Sequence, residues 1–346
     1  GLGTDNFGDA TSEEEARKII NRTLDAGINL IDTGDTYCEG ASERIIGRVL
    51  KENKKRHQVF VATKVDHGRR RVGMSYEEYK PAEDVDSALP SMEADSLDPN
   101  EFGHSRLNII RTCEDSLQRL QTDYIDLYQL HWPERSVGMF GQLDFEYDPS
   151  DTWTPIEEVL ENLNNLVKSG KIRYVGLSNE TPWGILNFLK IAGKKKLPRM
   201  MTVQNCYSLV NRVFDIANSE VSIREQCGLL AYSPLAGGRL SGKYINEQRP
   251  KNCRYTLWPG RFSRHLTKRG ELAIAKYVNL AKKYNIAPST FANAFVINRP
   301  FVTSSIIGAT SKKHLEENIN CINIKLTEEM LKEIEDIHLS DPNPCI

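Results

Sequence analysis

Hydrophobic and polar positions along the chain follow two patterns that alternate in a regular order. Short runs rich in β-branched and aromatic residues are each followed by a longer stretch in which apolar residues recur three and four positions apart. The first pattern is typical of a strand and the second of an amphipathic helix. We predict a first strand that ends near residue 3 and further strands at residues 28–33, 59–64, 124–131, 173–178, 201–204, 229–233 and 305–308. We predict helices at residues 11–26, 41–52, 107–120, 155–168, 183–192, 213–225 and 272–284, from residue 312 onward, and at 327–338.

The order of these elements predicts the fold class. Eight successive strand–helix units with no break in composition favour an α/β fold, a (β/α)8 TIM barrel, over an open doubly wound sheet. The segment 327–338 is then an extra C-terminal helix, and several of the βα loops are long. A doubly wound dinucleotide fold would carry Gly-x-Gly-x-x-Gly after a strand, and the chain has no such run.

The length of 346 residues fits one such barrel, so we expect a single domain over residues 1–346. The chain opens on Gly-Leu-Gly-Thr, which is typical of the end of a strand. We therefore expect part of the N-terminal strand region to precede it. The long polar stretch at 66–104 interrupts the pattern and is predicted to be a surface insertion.

Charge and cysteine usage narrow the classes of function. The formal net charge is −2, which gives no long-range attraction to nucleic acid or to an anionic membrane surface. No apolar run approaches the roughly 20 residues that cross a bilayer, and no signal peptide opens the chain. The seven cysteines show no metal-ligand spacing, so we expect reduced thiols and no metal. These features predict a cytoplasmic protein that acts on a small molecule, and they do not indicate an oligomer.

Polar residues lie where the predicted strands end. Asp32, Lys64 and His131 end the second, third and fourth strands, and Tyr37 follows Asp32 by five residues. In a parallel barrel all of these strand ends meet at one rim, which is where active sites lie. Each residue alone has a plainer interpretation, as a structural ion pair, a core histidine or a packed tyrosine. Their coincidence at one rim favours a catalytic function.

The four side chains together suggest acid–base chemistry. A buried Lys64 beside Asp32 stays charged, and this cation favours the phenolate form of a neighbouring tyrosine. We therefore expect the pKa of Tyr37 to lie below its usual value of about 10, which would make Tyr37 an effective general acid. His131 could then donate a hydrogen bond to a substrate oxygen on which negative charge develops.

Three runs resemble the aldo-keto reductase superfamily, and the resemblance covers nearly the whole chain. They are the runs at 27–37 (GINLIDTGDTY), 62–64 (ATK) and 130–133 (LHWP). The runs at 119–124, 170–181 and 231–235 are similar to the Tas-like NADP(H)-dependent oxidoreductases of that superfamily. The resemblance implies a (β/α)8 fold and NADPH-dependent reduction of aldehydes or ketones, in which Asp32, Tyr37, Lys64 and His131 form the catalytic tetrad.

The resemblance also implies a set of residues that bind NADPH or NADP+. The carboxamide and ring of the nicotinamide would be held by Ser178, Asn179, Gln204 and Tyr232. The pyrophosphate would be covered by Ser233, Pro234, Leu235, Gly237, Lys243 and Arg254. The segment from Gly308 would form the adenosine phosphate site, with Thr310 and His314 near the 2′-phosphate and Glu317 and Asn318 on the adenine. Gly3, Thr4 and Asp32 complete the set.

Three positions depart from the family pattern. Gly34 replaces an alanine that is common in the family, a change that removes bulk. His314 replaces a frequent arginine, so the preference for NADPH over NADH rests on Thr310 and on the lysines at 312 and 313. Asp5 stands where related chains carry Met or Trp; it could weaken cofactor binding or turn away from the nicotinamide.

Two other functions remain open. The first is an NADP(H)-binding regulatory subunit with low turnover, since the potassium-channel β subunits share this barrel and its tetrad. The second is a cofactor-free lyase or isomerase, which would need a metal or phosphate constellation that the sequence does not show. Substrate choice is expected to depend on the 66–104 insertion, the 133–153 loop and the segment after Lys243.

Overall fold

Eight parallel strands form the centre of the molecule. The computed structural model describes residues 1–66, 103–138, 140–142, 144–251, 253–259 and 263–346. In these residues the strands close into a barrel in the order β1 to β8, each paired with its neighbour in sequence and β1 paired with β8. The strands are β1 (Leu2–Gly3), β2 (Leu30–Asp32), β3 (Phe60–Val65), β4 (Ile125–Leu130), β5 (Ile172–Ser178), β6 (Met200–Cys206), β7 (Gly228–Tyr232) and β8 (Val302–Gly308).

Helices surround the barrel. In the described ranges they are α1 (Glu13–Asp25), α2 (Ala41–Glu52), α3 (Arg106–Leu120), α4 (Ile156–Lys168), α5 (Pro182–Lys195), α6 (Asn218–Arg224), α7 (Arg254–Leu257), α8 (Lys268–Lys283), α9 (Pro288–Ile297), α10 (Lys312–Ile319) and α11 (Glu328–Ser340). Their starts follow local chemistry. The hydroxyl of Ser12 accepts a hydrogen bond from Glu15 N at the start of α1, and the hydroxyl of Ser105 accepts one from Asn108 N at the start of α3.

The predicted barrel is confirmed, but one predicted helix needs correction and one long helix was missed. The segment expected as one helix over 213–225 is interrupted, because Ala217 adopts a left-handed backbone with φ 63° and α6 begins only after it. The helix α9 was missed. Residues 289–296 of α9 are all buried, so it lacks the polar face that makes a helix visible in sequence.

The interior of the barrel has an apolar floor below a polar rim. Ala62, Leu127, Leu230 and Ile306 pack together as a small core cluster that is separate from the main core between strands and helices. Alternate residues of a strand face the same side, so Lys64 lies on the same face as Ala62, one step closer to the C-terminal end. The strand ends thereby place polar side chains above an apolar base.

None of the helices in the described ranges is long and apolar enough to cross a membrane. Residues 67–102, which make up most of the predicted surface insertion, lie outside the described residues, and the surface insertion stays a prediction.

Candidate active site

Lys64 is the centre of the polar cluster at the rim. Its Nζ donates to Asp32 Oδ2 at 2.7 Å, to the carbonyl oxygen of Thr33 at 2.7 Å and to Tyr37 Oη at 3.0 Å. The side chains of Lys64 and Asp32 are 1% and 2% exposed, so their charges face each other with almost no water between them. An ammonium with three acceptors and an adjacent carboxylate is held in one place and stays charged.

Tyr37 reaches Lys64 because the chain folds back after β2. Its backbone N–H donates to Gly34 O at 3.1 Å, which closes a tight turn. A Cβ added to Gly34 would lie 3.1 Å from the Tyr37 ring. The family often has alanine at this position. Because Gly34 has no Cβ, the chain avoids a close contact with the Tyr37 ring here.

The prediction for the pKa of Tyr37 is wrong in direction. Burial of the phenol raises its pKa to about 12, and this effect outweighs the nearby charge of Lys64, which lowers it. Tyr37 therefore stays protonated at neutral pH. The charge of Lys64 keeps the pKa from rising further, and Lys64 remains placed to stabilise a phenolate once the proton has left.

His131 completes the predicted group of four. Its ring lies 5.9 Å from the Tyr37 ring in an edge-on arrangement and stacks on Trp132 at 5.7 Å. Its Nδ1 lies 3.5 Å from Oδ2 of Asp66, a residue that the sequence reasoning did not single out. The only sequence signal for Asp66 was its place two residues after Lys64, at the end of β3. The structure thus brings Asp32, Tyr37, Lys64 and His131 together at one rim.

The second carboxylate oxygen of Asp32 bonds to two glutamines. Gln204 Nε2 donates to Asp32 Oδ1 at 2.7 Å, and Gln129 Nε2 faces the same oxygen at 3.3 Å. Gln129 was also missed by sequence reasoning. It pairs with Lys64 in the register of β3 and β4, and this pairing is visible only once the strands are aligned.

The other residues expected to hold the nicotinamide form one hydrogen-bonded cluster. Tyr232 Oη donates to Asn179 Oδ1 at 2.6 Å, and Asn179 Nδ2 donates to the carbonyl oxygen of His131 at 2.9 Å. Ser178 Oγ donates to Gln204 O at 2.8 Å. Asn179 has a left-handed backbone with φ 55°, which turns the chain at the end of β5. The cluster is therefore tied to the predicted tetrad through the carbonyl oxygen of His131 and through Gln204, which bonds to Asp32.

Gly3 pairs with Asp32 in the register of β1 and β2, and Thr4 follows Gly3. The hydroxyl and backbone N–H of Thr4 both donate to the carbonyl oxygen of Asp32, at 2.9 and 3.1 Å. A Cβ on Gly3 would lie 2.8 Å from Ile306. In the structure these two residues fix the end of β2, and their contact with a cofactor stays a prediction.

The loop after β7 carries five of the residues expected to bind the cofactor. It comprises residues 233–243 and contains Ser233, Pro234, Leu235, Gly237 and Lys243. Ser233 and Gly237 have left-handed backbones, with φ 56° and 65°. Glycine reaches this region without strain, which suits a loop that wraps around a ligand. Beyond the loop, Arg254 Nη2 bonds to Asp5 Oδ2 at 3.1 Å, so the carboxylate of Asp5 faces Arg254.

Further residues expected to bind the cofactor lie around the start of α10. Thr310 Oγ1 and His314 Nδ1 are 3.1 Å apart, and the pKa of His314 is lowered by burial and then by the charge of Lys243. Further along, Glu317 Oε2 accepts from Ser289, whereas Asn318 donates to Gly308 O and accepts from Asn293. Contacts of Glu317 and Asn318 with an adenine stay predictions.

These residues fit a dinucleotide. Lys243 in the loop after β7 and the lysines at 312 and 313 at the start of α10 supply cations, which are groups suited to phosphates. A Cβ on Gly308 would meet nothing within 4 Å, so there is space above this end of β8. Among the described residues no group of three or more His, Cys, Asp or Glu side chains could hold a metal ion.

Comparisons with a family model and with individual proteins indicate the same family. The model of the aldo/keto reductase family matches residues 1–338. Protein tas of Escherichia coli K12 is 38% identical over 345 residues, which cover 98% of this chain and 93% of tas. An aldo-keto reductase of Babesia bovis is 38% identical over 253 residues, covering 68% of this chain and 87% of that protein. The uncharacterized oxidoreductase YrpG of Bacillus subtilis is 31% identical over 342 residues, covering 97% of this chain and 90% of YrpG. From the barrel, its rim residues and these matches, we conclude that the chain belongs to the aldo/keto reductase family of oxidoreductases.

Proposed function

We propose that this protein reduces aldehydes and ketones to alcohols with NADPH, and that Tyr37 is the general acid. The observation that carries the proposal is the 3.0 Å hydrogen bond from Lys64 Nζ to Tyr37 Oη, together with the 2.7 Å bond from the same Nζ to Asp32. A phenol paired with a buried ammonium is a proton donor whose anion is stabilised in advance.

Each residue of the tetrad has a distinct task. NADPH, when bound, would supply the hydride that adds to the carbonyl carbon. Tyr37 holds its proton at neutral pH, because its pKa is about 12, and donates it to the carbonyl oxygen as negative charge develops there. Lys64 stabilises the resulting phenolate through its hydrogen bond to Oη, and Asp32 keeps Lys64 charged. His131, beside the Tyr37 ring, donates a hydrogen bond to the same substrate oxygen.

The loop after β7 and the start of α10 would together hold the cofactor. Lys243 and the N-terminal turn of α10, with its lysines at 312 and 313, are the groups suited to the phosphates. Ser178, Asn179, Gln204 and Tyr232 lie nearest the tetrad and would hold the nicotinamide. The substrate would be a small carbonyl compound whose oxygen lies between Tyr37 and His131.

The test follows NADPH consumption by its near-ultraviolet absorbance with a panel of aromatic and dicarbonyl substrates. Tyr37→Phe removes the proton donor and should lower kcat by about a hundredfold or more, while NADPH still binds. Tyr174→Phe is the matched control, because Tyr174 stacks on Phe60 near the start of the strands and is 47% exposed. It should keep wild-type turnover.

Two results would contradict the proposal. Equal loss of turnover in Tyr37→Phe and Tyr174→Phe would remove the assigned role of Tyr37. Tight NADPH binding by the wild-type chain with negligible turnover on every substrate would instead support an NADP(H)-binding regulatory subunit.

A further inference from the structure

Asp66 and His131 form a carboxylate–imidazole pair at the edge of the candidate active site. Asp66 Oδ2 lies 3.5 Å from His131 Nδ1, and the two side chains are 18% and 8% exposed. The Nδ1 atom itself is buried. A carboxylate at this distance from a shielded ring nitrogen favours a proton on that nitrogen.

The position of Asp66 is fixed by the surrounding chain. Its backbone N–H donates to Asp35 Oδ2 at 3.0 Å, and its carbonyl oxygen accepts from Asn108 Nδ2 at 3.1 Å. Asp35 is held in turn by the N–H of Thr36, which donates to Oδ1 at 2.8 Å. The backbone on which the Asp66 carboxylate stands is therefore anchored to two separate segments, the turn after β2 and the start of α3.

We propose that Asp66 is a positioning residue that fixes a proton on Nδ1 of His131 and balances the charge of its imidazolium form. The inference rests on the proposed function, since it concerns the tetrad histidine. Because the two ring nitrogens point in different directions, Nδ1 facing Asp66 leaves Nε2 for the substrate oxygen. A neutral ring with its proton on Nδ1 can only accept at Nε2. His131 can therefore donate to a carbonyl oxygen only as the imidazolium, which the Asp66 carboxylate stabilises.

In the described part of the chain, two segments bring titratable groups to this ring. The turn after β2 contributes Tyr37, whose ring lies 5.9 Å from that of His131, and the residue after β3 contributes Asp66. Asp35 bonds to the backbone N–H of Asp66, and Lys64 bonds to Tyr37. The charge of Lys64 is directed at Asp32, 2.7 Å away. The pKa of Asp35 is raised to about 7, by burial first and then by the charge of Asp66. Among these groups Asp66 is the carboxylate that faces the imidazole directly.

The test compares the wild type with Asp66→Asn, Asp66→Glu and the exposed control Asp25→Asn. Ring ¹⁵N shifts of His131, followed against pH in labelled protein, report which nitrogen carries the proton and need no turnover. In Asp66→Asn the ring should lose its second proton at a lower pH than in the wild type. Its kcat/KM for carbonyl reduction should fall about tenfold or more, as expected when an orienting carboxylate is removed from a functional histidine. NADPH affinity should be unchanged.

Asp66→Glu keeps the charge and should retain the wild-type ring titration, while Asp25→Asn should match the wild type in every measurement. An unchanged His131 titration in Asp66→Asn, or the same downward shift in Asp66→Glu, would overturn the proposal. Wild-type protein that shows the expected ¹⁵N behaviour but no carbonyl reduction would contradict the proposed function and leave the Asp66–His131 pair supported.

Discussion

The side-chain amide of Gln204 donates to Oδ1 of Asp32 at 2.7 Å. A residue expected to hold the nicotinamide therefore also bonds to the carboxylate that pairs with Lys64. Gln204 is 2% exposed, and its backbone carbonyl accepts from Ser178 Oγ. A change at the cofactor could thereby reach the Asp32–Lys64 pair through a single side chain.

Gln204 and Gln129 offer a matched comparison, because both amides face Asp32 Oδ1. Replacing either by leucine leaves that carboxylate oxygen with one partner fewer in a buried place, which should cost about 1–3 kcal/mol in the free energy of unfolding. Only Gln204→Leu should also weaken NADPH binding, by about tenfold for the loss of one hydrogen bond. Denaturant unfolding and fluorescence titration would measure the two effects. Equal NADPH affinity in both variants would remove Gln204 from the cofactor site.

Lys64→Met leaves Asp32 as a buried charge without its cation. Breaking one partner of a buried ion pair typically costs about 3–5 kcal/mol, and we expect a loss of that size in the free energy of unfolding. In the double variant Asp32→Asn/Lys64→Met the uncompensated charge is gone, so part of the stability should return. If the double variant is no more stable than Lys64→Met, the buried charge of Asp32 is not the cause of the lost stability.

Asp35 should make stability fall with rising pH. Burial raises its folded-state pKa from 3.8 to about 7, so below pH 3.8 the carboxyl is protonated in both the folded and the unfolded chain. Between these two values only the unfolded chain releases the proton, and the stabilisation contributed by the protonated carboxyl is lost as the pH approaches 7. Asp35→Asn cannot titrate, so its free energy of unfolding should rise relative to the wild type across this interval. Denaturant unfolding at several pH values, with the exposed Asp25→Asn as control, would test this, and parallel pH curves for wild type and Asp35→Asn would contradict it.

His314 should contribute little positive charge to cofactor binding. Burial and the charge of Lys243 lower its pKa, so its ring is neutral near pH 7. His314→Arg adds a permanent cation that can bond to the 2′-phosphate in a bidentate manner, and should raise the ratio of NADPH to NADH affinity by about tenfold. His314→Gln should leave the ratio near the wild-type value. An unchanged ratio in His314→Arg would place the 2′-phosphate elsewhere.

The Asp5–Arg254 pair can be tested by its effect on the cofactor. The two side chains are 41% and 26% exposed, so the pair should add at most about 1 kcal/mol to stability. Asp5→Asn removes a negative charge beside Arg254, which should strengthen the binding of the anionic NADPH a few-fold, more at low salt than at high salt. The exposed Asp9→Asn should have no such effect. Weaker NADPH binding in Asp5→Asn would mean that the ion pair is needed to keep Arg254 in its position for the cofactor.

Much of the fold and part of the site could be predicted from the chain alone, and particular residues show why. The start and end of α2 at Ala41 and Glu52 were predicted correctly, since the helix has an amphipathic stripe and clear limits. The helix α9 was missed because all but its two end residues are buried and it shows no periodic pattern. Asp66 and Gln129 were missed for a different reason: their roles depend on contacts with His131 and Asp32, which lie 65 and 97 positions away.

By itself the sequence determined the eight strand–helix units, the polar residues at the strand ends and the resemblance to a reductase family, because all of these are local patterns. The tertiary structure decided the direction in which the pKa of Tyr37 is shifted. The expected place of Lys64 and Tyr37 at one rim suggested that the lysine would lower the phenol pKa, but burial raises it to about 12. Desolvation depends on every atom packed around a group, and no local pattern encodes that quantity.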